Sequence, residues 1–253
     1  MREHNEKAKI REAIVAGIFY PDDPAELETR IATLLDAASP GMGGAFAIIA
    51  PHASLGYAGD LNALAWKAAS ERPIRTVVVL SPIHRGEDEL VYLPESESYA
   101  TPMGEVAVDQ DAVQEILDCG TSFERNDIPH FEEHGIEVQL PFMRRLFPDA
   151  ALVPILLGTC AQAPVRALAS ALDIVFGSRL ASTLVVISTD LASGSDPGAA
   201  SGMADRNIAE IGAGNWKAMI GADRGTEGSA CGSGCIAAFV ASGLSRGLSA
   251  RLL

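Results

Sequence analysis

Ala47-Ile48-Ile49-Ala50-Pro51-His52-Ala53-Ser54-Leu55-Gly56-Tyr57-Ala58-Gly59 is the stretch that decides how this chain is read. An apolar run stops at a proline and a histidine, small residues turn the chain, and a helical pattern runs from about Ala58 to Ser70. Strand, turn and helix form the half-unit of a parallel α/β sheet, and such sheets gather ligands at the carboxyl edge of their strands. His52 stands at that edge. A single histidine after a strand serves equally well as a turn residue, so its weight depends on what the other strands deliver to the same edge.

Working outward, Val77–Leu80, Leu152–Leu157 and Leu184–Ile187 are further continuous apolar runs, the pattern of strands covered on both faces. The first runs into Ser81-Pro82-Ile83-His84-Arg85, and the last into Ser188-Thr189-Asp190-Leu191. Leu90–Leu93 reads as a shorter strand and Thr101–Gly104 as a turn. Between them lie helical patterns. One starts at Asp23-Pro24 and buries Leu27, Ile31, Leu34 and Leu35; others span Asp109–Leu117, His134–Phe147, Ala163–Phe176, Met203–Ile211, Trp216–Ile220 and Cys231–Leu244. In the His134–Phe147 helix, Ile136, Leu140, Met143 and Leu146 face inward; Thr121–Pro129 and Gly225–Ala230 read as loops. Alternating strands and helices predict an α/β fold, a mainly parallel or mixed sheet flanked by helices. One domain over residues 10–253 is expected, preceded by a mobile polar stretch, residues 1–9.

Composition narrows the function. Of 253 residues, 48% are apolar, enough for a full core, and the net charge is −14. That acidity argues against nucleic acid and against an anionic membrane surface, both of which need clustered Lys and Arg. Cys119, Cys160, Cys231 and Cys235 lack zinc-ribbon spacing and no basic-plus-apolar leader precedes them, so free thiols in a reducing cytoplasm are expected. Apolar runs reach about eight residues, against the roughly 20 that span a bilayer.

His52, His84 and Asp190 thus follow buried strands, and Cys231 opens a helix within Gly228-Ser229-Ala230-Cys231-Gly232-Ser233-Gly234. A helix N-terminus favours the thiolate. Two imidazoles with a thiolate or carboxylate suffice for a transition-metal site, and imidazole suits iron, copper and zinc alike. Two histidines plus one anionic ligand with open positions are similar to the arrangement in non-haem iron oxygenases. The plainer alternatives are a small Cys231 for tight helix packing and an Asp190 that caps a turn. A rival motif is His130-Phe131-Glu132-Glu133-His134, which fits the H-x-x-E-H zinc-peptidase pattern if both histidines share one helix. Otherwise Glu133 and His134 are the polar entry to the next helix. Glu137, one turn on, is a candidate to hydrogen-bond a ligand imidazole from behind.

Taken together, Pro51-His52-Ala53, Ser81-Pro82-Ile83-His84, Thr101-Pro102-Met103-Gly104-Glu105-Val106, Glu133-His134-Gly135-Ile136-Glu137-Val138-Gln139-Leu140-Pro141-Phe142, Ser188-Thr189-Asp190-Leu191 and Ala230-Cys231-Gly232 resemble the Memo family, called AmmeMemoRadiSam system protein B in prokaryotes. The resemblance runs from about residue 12 to residue 245, and Glu133–Phe142 is its most specific part. It implies a fold similar to the LigB-type class III extradiol dioxygenases. It also implies a pocket metal, iron or copper, with zinc possible, on His52, His84 and Cys231, and Asp190 as an acidic pocket residue; His134 is the further catalytic candidate. Implied partners are a radical SAM protein and an AMMECR-type protein. The family's usual second histidine after His84 is Arg85 here, its usual histidine three residues after Asp190 is Ser193, its Gly-Tyr after Pro-His-Ala is Ser54-Leu55, and Cys235 replaces a usual proline. The first two changes remove groups that move protons near neutral pH. The expectations are a Memo-like metal-binding protein, an active non-haem iron dioxygenase, or a partner-binding scaffold without catalysis.

Overall fold

Among residues 8–85, 88–192, 196–220 and 230–253, which the computed structural model describes, the chain opens with strand β1 (Ile10–Arg11) and helix α1 (Pro24–Ala37). Strand β2 (Ala47–Ala50) leads into α2 (Leu55–Lys67), followed by β3 (Thr76–Pro82), β4 (Val91–Leu93), β5 (Ser98–Tyr99) and β6 (Val106–Ala107). Next come α3 (Gln110–Leu117), β7 (Phe123–Arg125) and α4 (Asp127–Glu132), then a 3-10 turn (Glu137–Gln139) that runs into α5 (Leu140–Leu146). Strand β8 (Ala151–Leu157), α6 (Gln162–Phe176), β9 (Thr183–Ser188), α7 (Pro197–Gly212) and α8 (Ser233–Ala241) follow.

The fold is α/β, with a mixed six-stranded sheet in the order β2-β9-β3-β8-β4-β7. The pairs β2–β9, β9–β3 and β3–β8 are parallel, β8–β4 is antiparallel, and β4–β7 is parallel. A small second sheet joins β1, β5 and β6. The continuous apolar runs are explained by helices on both faces. Val77, Val78, Val79 and Leu80 of β3 are fully buried, each such side chain adding about 1.5–3 kcal/mol of transfer free energy. Helix α1 starts where Asp23 caps it, its carboxylate accepting the Glu26 N–H at 2.8 Å, and it buries Leu27, Ile31, Leu34 and Leu35 as periodicity predicts. Because β2, β9 and β3 run parallel, their carboxyl ends share one edge of the sheet. Ala50 pairs with Ser188 there, so the chain leaves β2 and β9 side by side.

Several local expectations need correction. The predicted loop at Thr121–Pro129 holds β7 and most of the first turn of α4; both elements are too short for their periodicity to register. The predicted helix His134–Phe147 is interrupted: His134 and Gly135 are outside it, and α5 starts only at Leu140, with Pro141 in its first turn. Trp216–Met219 forms a 3-10 turn, α7 begins earlier than predicted, and the last helix begins at Ser233, two residues beyond Cys231. Lys9 at the end of the supposedly mobile stretch is tied by its ammonium to Asp127 at 2.9 Å. The rest of that expectation, residues 1–7, lies outside the described residues, as do Ser193 and most of the predicted Gly225–Ala230 loop. No helix among the described residues is long and apolar enough to cross a membrane.

Candidate metal centre

His52 follows β2, His84 follows β3 and Asp190 follows β9, all at the carboxyl edge of the parallel strands. Cys231 arrives at the same edge just before α8. One nitrogen of each of His52 and His84 and the Cys231 Sγ lie within 4.8 Å of one another. Cys231 Sγ is 3.2 Å from His52 Nε2. A metal bonded at roughly 2.0–2.3 Å to each donor requires donors this close. His52 is buried, Cys231 half-buried and His84 exposed, so the cluster opens to solvent on the His84 side.

Glu133 holds His84 from behind. Its Oε2 is 2.6 Å from His84 Nδ1, and its Oε1 accepts the His84 backbone N–H. A carboxylate on Nδ1 puts the proton there and leaves Nε2 for a metal, the usual outer support of a ligating histidine. This corrects the expectation for Glu137. The Glu137 carboxylate is fully buried and accepts from Arg11, from the backbone N–H groups of Ile14 and Val15, and from the Tyr20 hydroxyl. It therefore fastens the N-terminal strand segment, and no imidazole is among its partners. The reason is the break at His134-Gly135: without a continuous helix, Glu137 points away from His84 while Glu133 faces it.

Asp190 meets the cluster twice, through its backbone N–H to Cys231 Sγ at 3.2 Å and through Oδ1, which accepts the His52 backbone N–H at 3.3 Å. Thr189 Oγ1 is also 3.3 Å from Cys231 Sγ. His134 stacks on His84 with ring centroids 5.0 Å apart and meets His52 edge-on at 5.3 Å and Phe19 at 4.9 Å. His130 is elsewhere: it is a buried residue of α4, its Nδ1 2.7 Å from the Tyr99 hydroxyl. Helix α4 ends at Glu132, so His130 and His134 do not share a helix, and the zinc-peptidase geometry is absent among the described residues.

The electrostatics suit a charged thiolate. Burial pushes the Cys231 thiol up, but hydrogen bonds from His52 and His84 outweigh it and bring it down to about 6. The thiolate is thus favoured by the two imidazoles beside it. His84 is raised to about 9 by its contacts with Cys231 and then Glu133. Glu133 is pushed up by burial and pulled below its ordinary value by His84. His134 is lowered to about 4, first by burial and then by the neighbouring imidazoles, so it is neutral at pH 7. A pocket of about 390 Å³ opens beside the cluster, lined by His84, Arg85, Glu132, Glu133 and His134.

A family model described as Memo-like protein matches residues 11–250. The chain belongs to the Memo family. Its relatives include a MEMO1 family protein of Thermotoga neapolitana, 32% identical over 194 residues, covering 72% of this chain and 70% of the relative. One from Nitrosopumilus maritimus is 30% identical over 188 residues, covering 72% and 68%. Another from Thermotoga petrophila is 34% identical over 194 residues, covering 72% and 69%. Within this Memo-family chain the convergence of His52, His84 and Cys231 was legible in sequence. Glu133, Thr189 and Arg11 were not read as parts of the site. Arg11 stands beside Glu12 at the start of the otherwise apolar stretch Ile10–Tyr20, and nothing local sets it apart. It is fully buried, and its Nη2 donates to the Glu133 carbonyl at 2.7 Å and its Nε to the His130 carbonyl at 2.9 Å.

Proposed function

We propose that this Memo-family protein binds a transition metal, iron or copper ahead of zinc, through His52, His84 and Cys231. The observation that carries the reading is the 3.2 Å approach of Cys231 Sγ to His52 Nε2, with His84 completing a set of donors within 4.8 Å. Two imidazoles and one thiolate are a donor set for iron, copper or zinc. When bound, such a metal supplies Lewis acidity or redox chemistry at its open positions. The chain's own residues do the rest. Glu133 orients His84 through Nδ1, the Asp190 and Thr189 contacts support the sulfur, and the Asp190 carboxylate steadies the backbone at His52. Metal analysis of protein purified without oxygen tests this. About one metal per chain in the wild type and its loss in His84→Ala are expected; no stoichiometric metal, or metal unchanged by His84→Ala, overturns the reading.

A second reading, ring-cleaving oxygenase activity on a catechol-like substrate, draws on His134. Its ring is neutral at pH 7, borders the pocket and makes no hydrogen bond with any described residue, so it is available to take a proton from a bound hydroxyl. Oxygen uptake by iron-loaded protein across a catechol panel, falling in His134→Gln with metal retained, is the expected result; no uptake across the panel removes this reading. The radical SAM and AMMECR-type partners belong to the same proposal, with co-purification as their test.

A further inference from the structure

The helical stretch over residues 127–146 is broken in its middle. Helix α4 ends at Glu132, and helical bonding resumes with the Val138 N–H on the His134 carbonyl. In an unbroken α-helix the His130 carbonyl would accept from the His134 N–H, and the Glu133 carbonyl from the Glu137 N–H. Neither bond forms. One distant side chain takes both acceptors instead: Arg11 Nε donates to the His130 carbonyl at 2.9 Å, and Arg11 Nη2 to the Glu133 carbonyl at 2.7 Å. Its Nη1 reaches across the break to the Glu137 carboxylate and donates to the Glu12 carbonyl at 2.8 Å. His130, Glu133 and Glu137 are all buried, where a carbonyl at a helix end left without a donor is costly. Gly135 makes the break easy, since only proline favours a helix less; Arg11 supplies the missing donors. The strand that carries Arg11 is fastened on both sides of it, by Lys9 to Asp127 at 2.9 Å and by the Ile14 and Val15 N–H groups to Glu137 at 3.0 Å.

We infer that Arg11 is a positioning residue of the candidate metal centre: it ends α4 by standing in for the next turn's N–H groups, and so sets Glu133 against His84. Glu133 is held at both ends. Its carbonyl is bound to Arg11, and its carboxylate reaches the His84 ring and backbone. In a continuous helix Glu133 and Glu137 would lie one above the other on one face. Here they part, Glu137 to the guanidinium and Glu133 to the imidazole, and Arg11 touches both. A guanidinium can do this because its donors lie in a rigid planar fork. A lysine ammonium keeps the charge beside Glu137 but has no such fork to span the two carbonyls. Arg11 and Glu133 are 122 residues apart in the chain, so the site depends on the N-terminal strand being docked.

The bearing of Arg11 on a metal rests on the function proposed above; its placing of Glu133 does not. The test uses the full chain and two readouts: hydrogen exchange of the His84 backbone N–H in metal-free protein, and affinity for zinc as a probe. Arg11→Lys is expected to lose the His84 N–H protection and to bind zinc about 10–100-fold more weakly. Val175→Ala, a buried change on α6, is the control for lost stability and is expected to move neither readout beyond its global unfolding. In a Glu133→Ala background, Arg11→Lys is expected to weaken zinc no further, because Arg11 acts through Glu133. Glu137→Gln loosens the ion pair but leaves both carbonyl contacts of Arg11, so it is expected to lose stability while keeping His84 protection and zinc affinity. This second variant decides the matter if Arg11→Lys does not fold: loss of His84 protection in a folded Glu137→Gln overturns the inference. A folded Arg11→Lys with wild-type His84 protection also overturns it, as does a further loss of zinc affinity in the Glu133→Ala background. Zinc that fails to bind the wild type overturns the metal reading alone, and His84 exchange still decides the role of Arg11.

Discussion

The carboxylate of Glu133 meets His84 at two points, the ring Nδ1 at 2.6 Å through Oε2 and the backbone N–H through Oε1. One residue thus fixes both the orientation of the imidazole and the course of the loop that carries it. Glu133→Gln keeps the shape but weakens the charge-assisted bond. The expected outcome is metal affinity lower by about 10–100-fold, read by competition with a chelator, with the fold retained by circular dichroism. Affinity equal to wild type would show that His84 needs no such support.

Gly135 has no room for a methyl group, since the added Cβ would fall 2.2 Å from Ser81 Oγ and 2.9 Å from His52 Nδ1. Overpacking of this kind costs about 1–3 kcal/mol. Gly135→Ala is expected to lower stability by that amount in urea unfolding and to weaken metal binding more than Gly44→Ala, where nothing lies within 4 Å of the new Cβ.

Arg11 and Glu137 form a fully buried ion pair. Removing one partner strands the other's charge, so Arg11→Met is expected to cost about 3–5 kcal/mol. Glu137→Leu should also be strongly destabilising. The pair couples directly, so the double variant is expected to lose less than the sum of the singles. Urea unfolding of the four proteins closes this cycle; strict additivity would mean that the pair contributes nothing.

His130 governs part of the acid limb of stability. Burial lowers it to about 3, against an ordinary value of 6.5. Because the folded value is the depressed one, the unfolded chain binds the proton first as pH falls. The stability contributed by neutral His130 is complete above about 6.5 and is lost progressively toward 3. One proton corresponds to about 1.4 kcal/mol per pH unit in that window. His130→Gln is expected to be less stable at pH 7, having disturbed the bond to Tyr99, yet to show an acid limb shallower by about that slope. Unfolding free energies at pH 7, 6 and 5 measure it; parallel acid limbs would place the sensitivity elsewhere.

The alternation of buried strands and amphipathic helices was readable in the sequence because β3, β8 and β9 are covered on both faces and α1 on one, and burial writes itself as continuous or periodic apolar residues. The edge location of His52, His84 and Asp190 was readable for a related reason: each follows a strand directly, and parallel strands end on the same edge. Tertiary structure alone decided which groups touch. Glu137 sits at helical spacing from Glu133, but the break at Gly135 gives His84 to Glu133 and sends Glu137 to Arg11. Cys231 and His52 are 179 residues apart in sequence and 3.2 Å apart in space, and the imidazoles brought there lower the thiol. Short elements such as β7 and α4 carry too few residues for a pattern. Local periodicity records which face of an element is buried, whereas the partners of a buried polar group come from distant segments whose packing no local window contains.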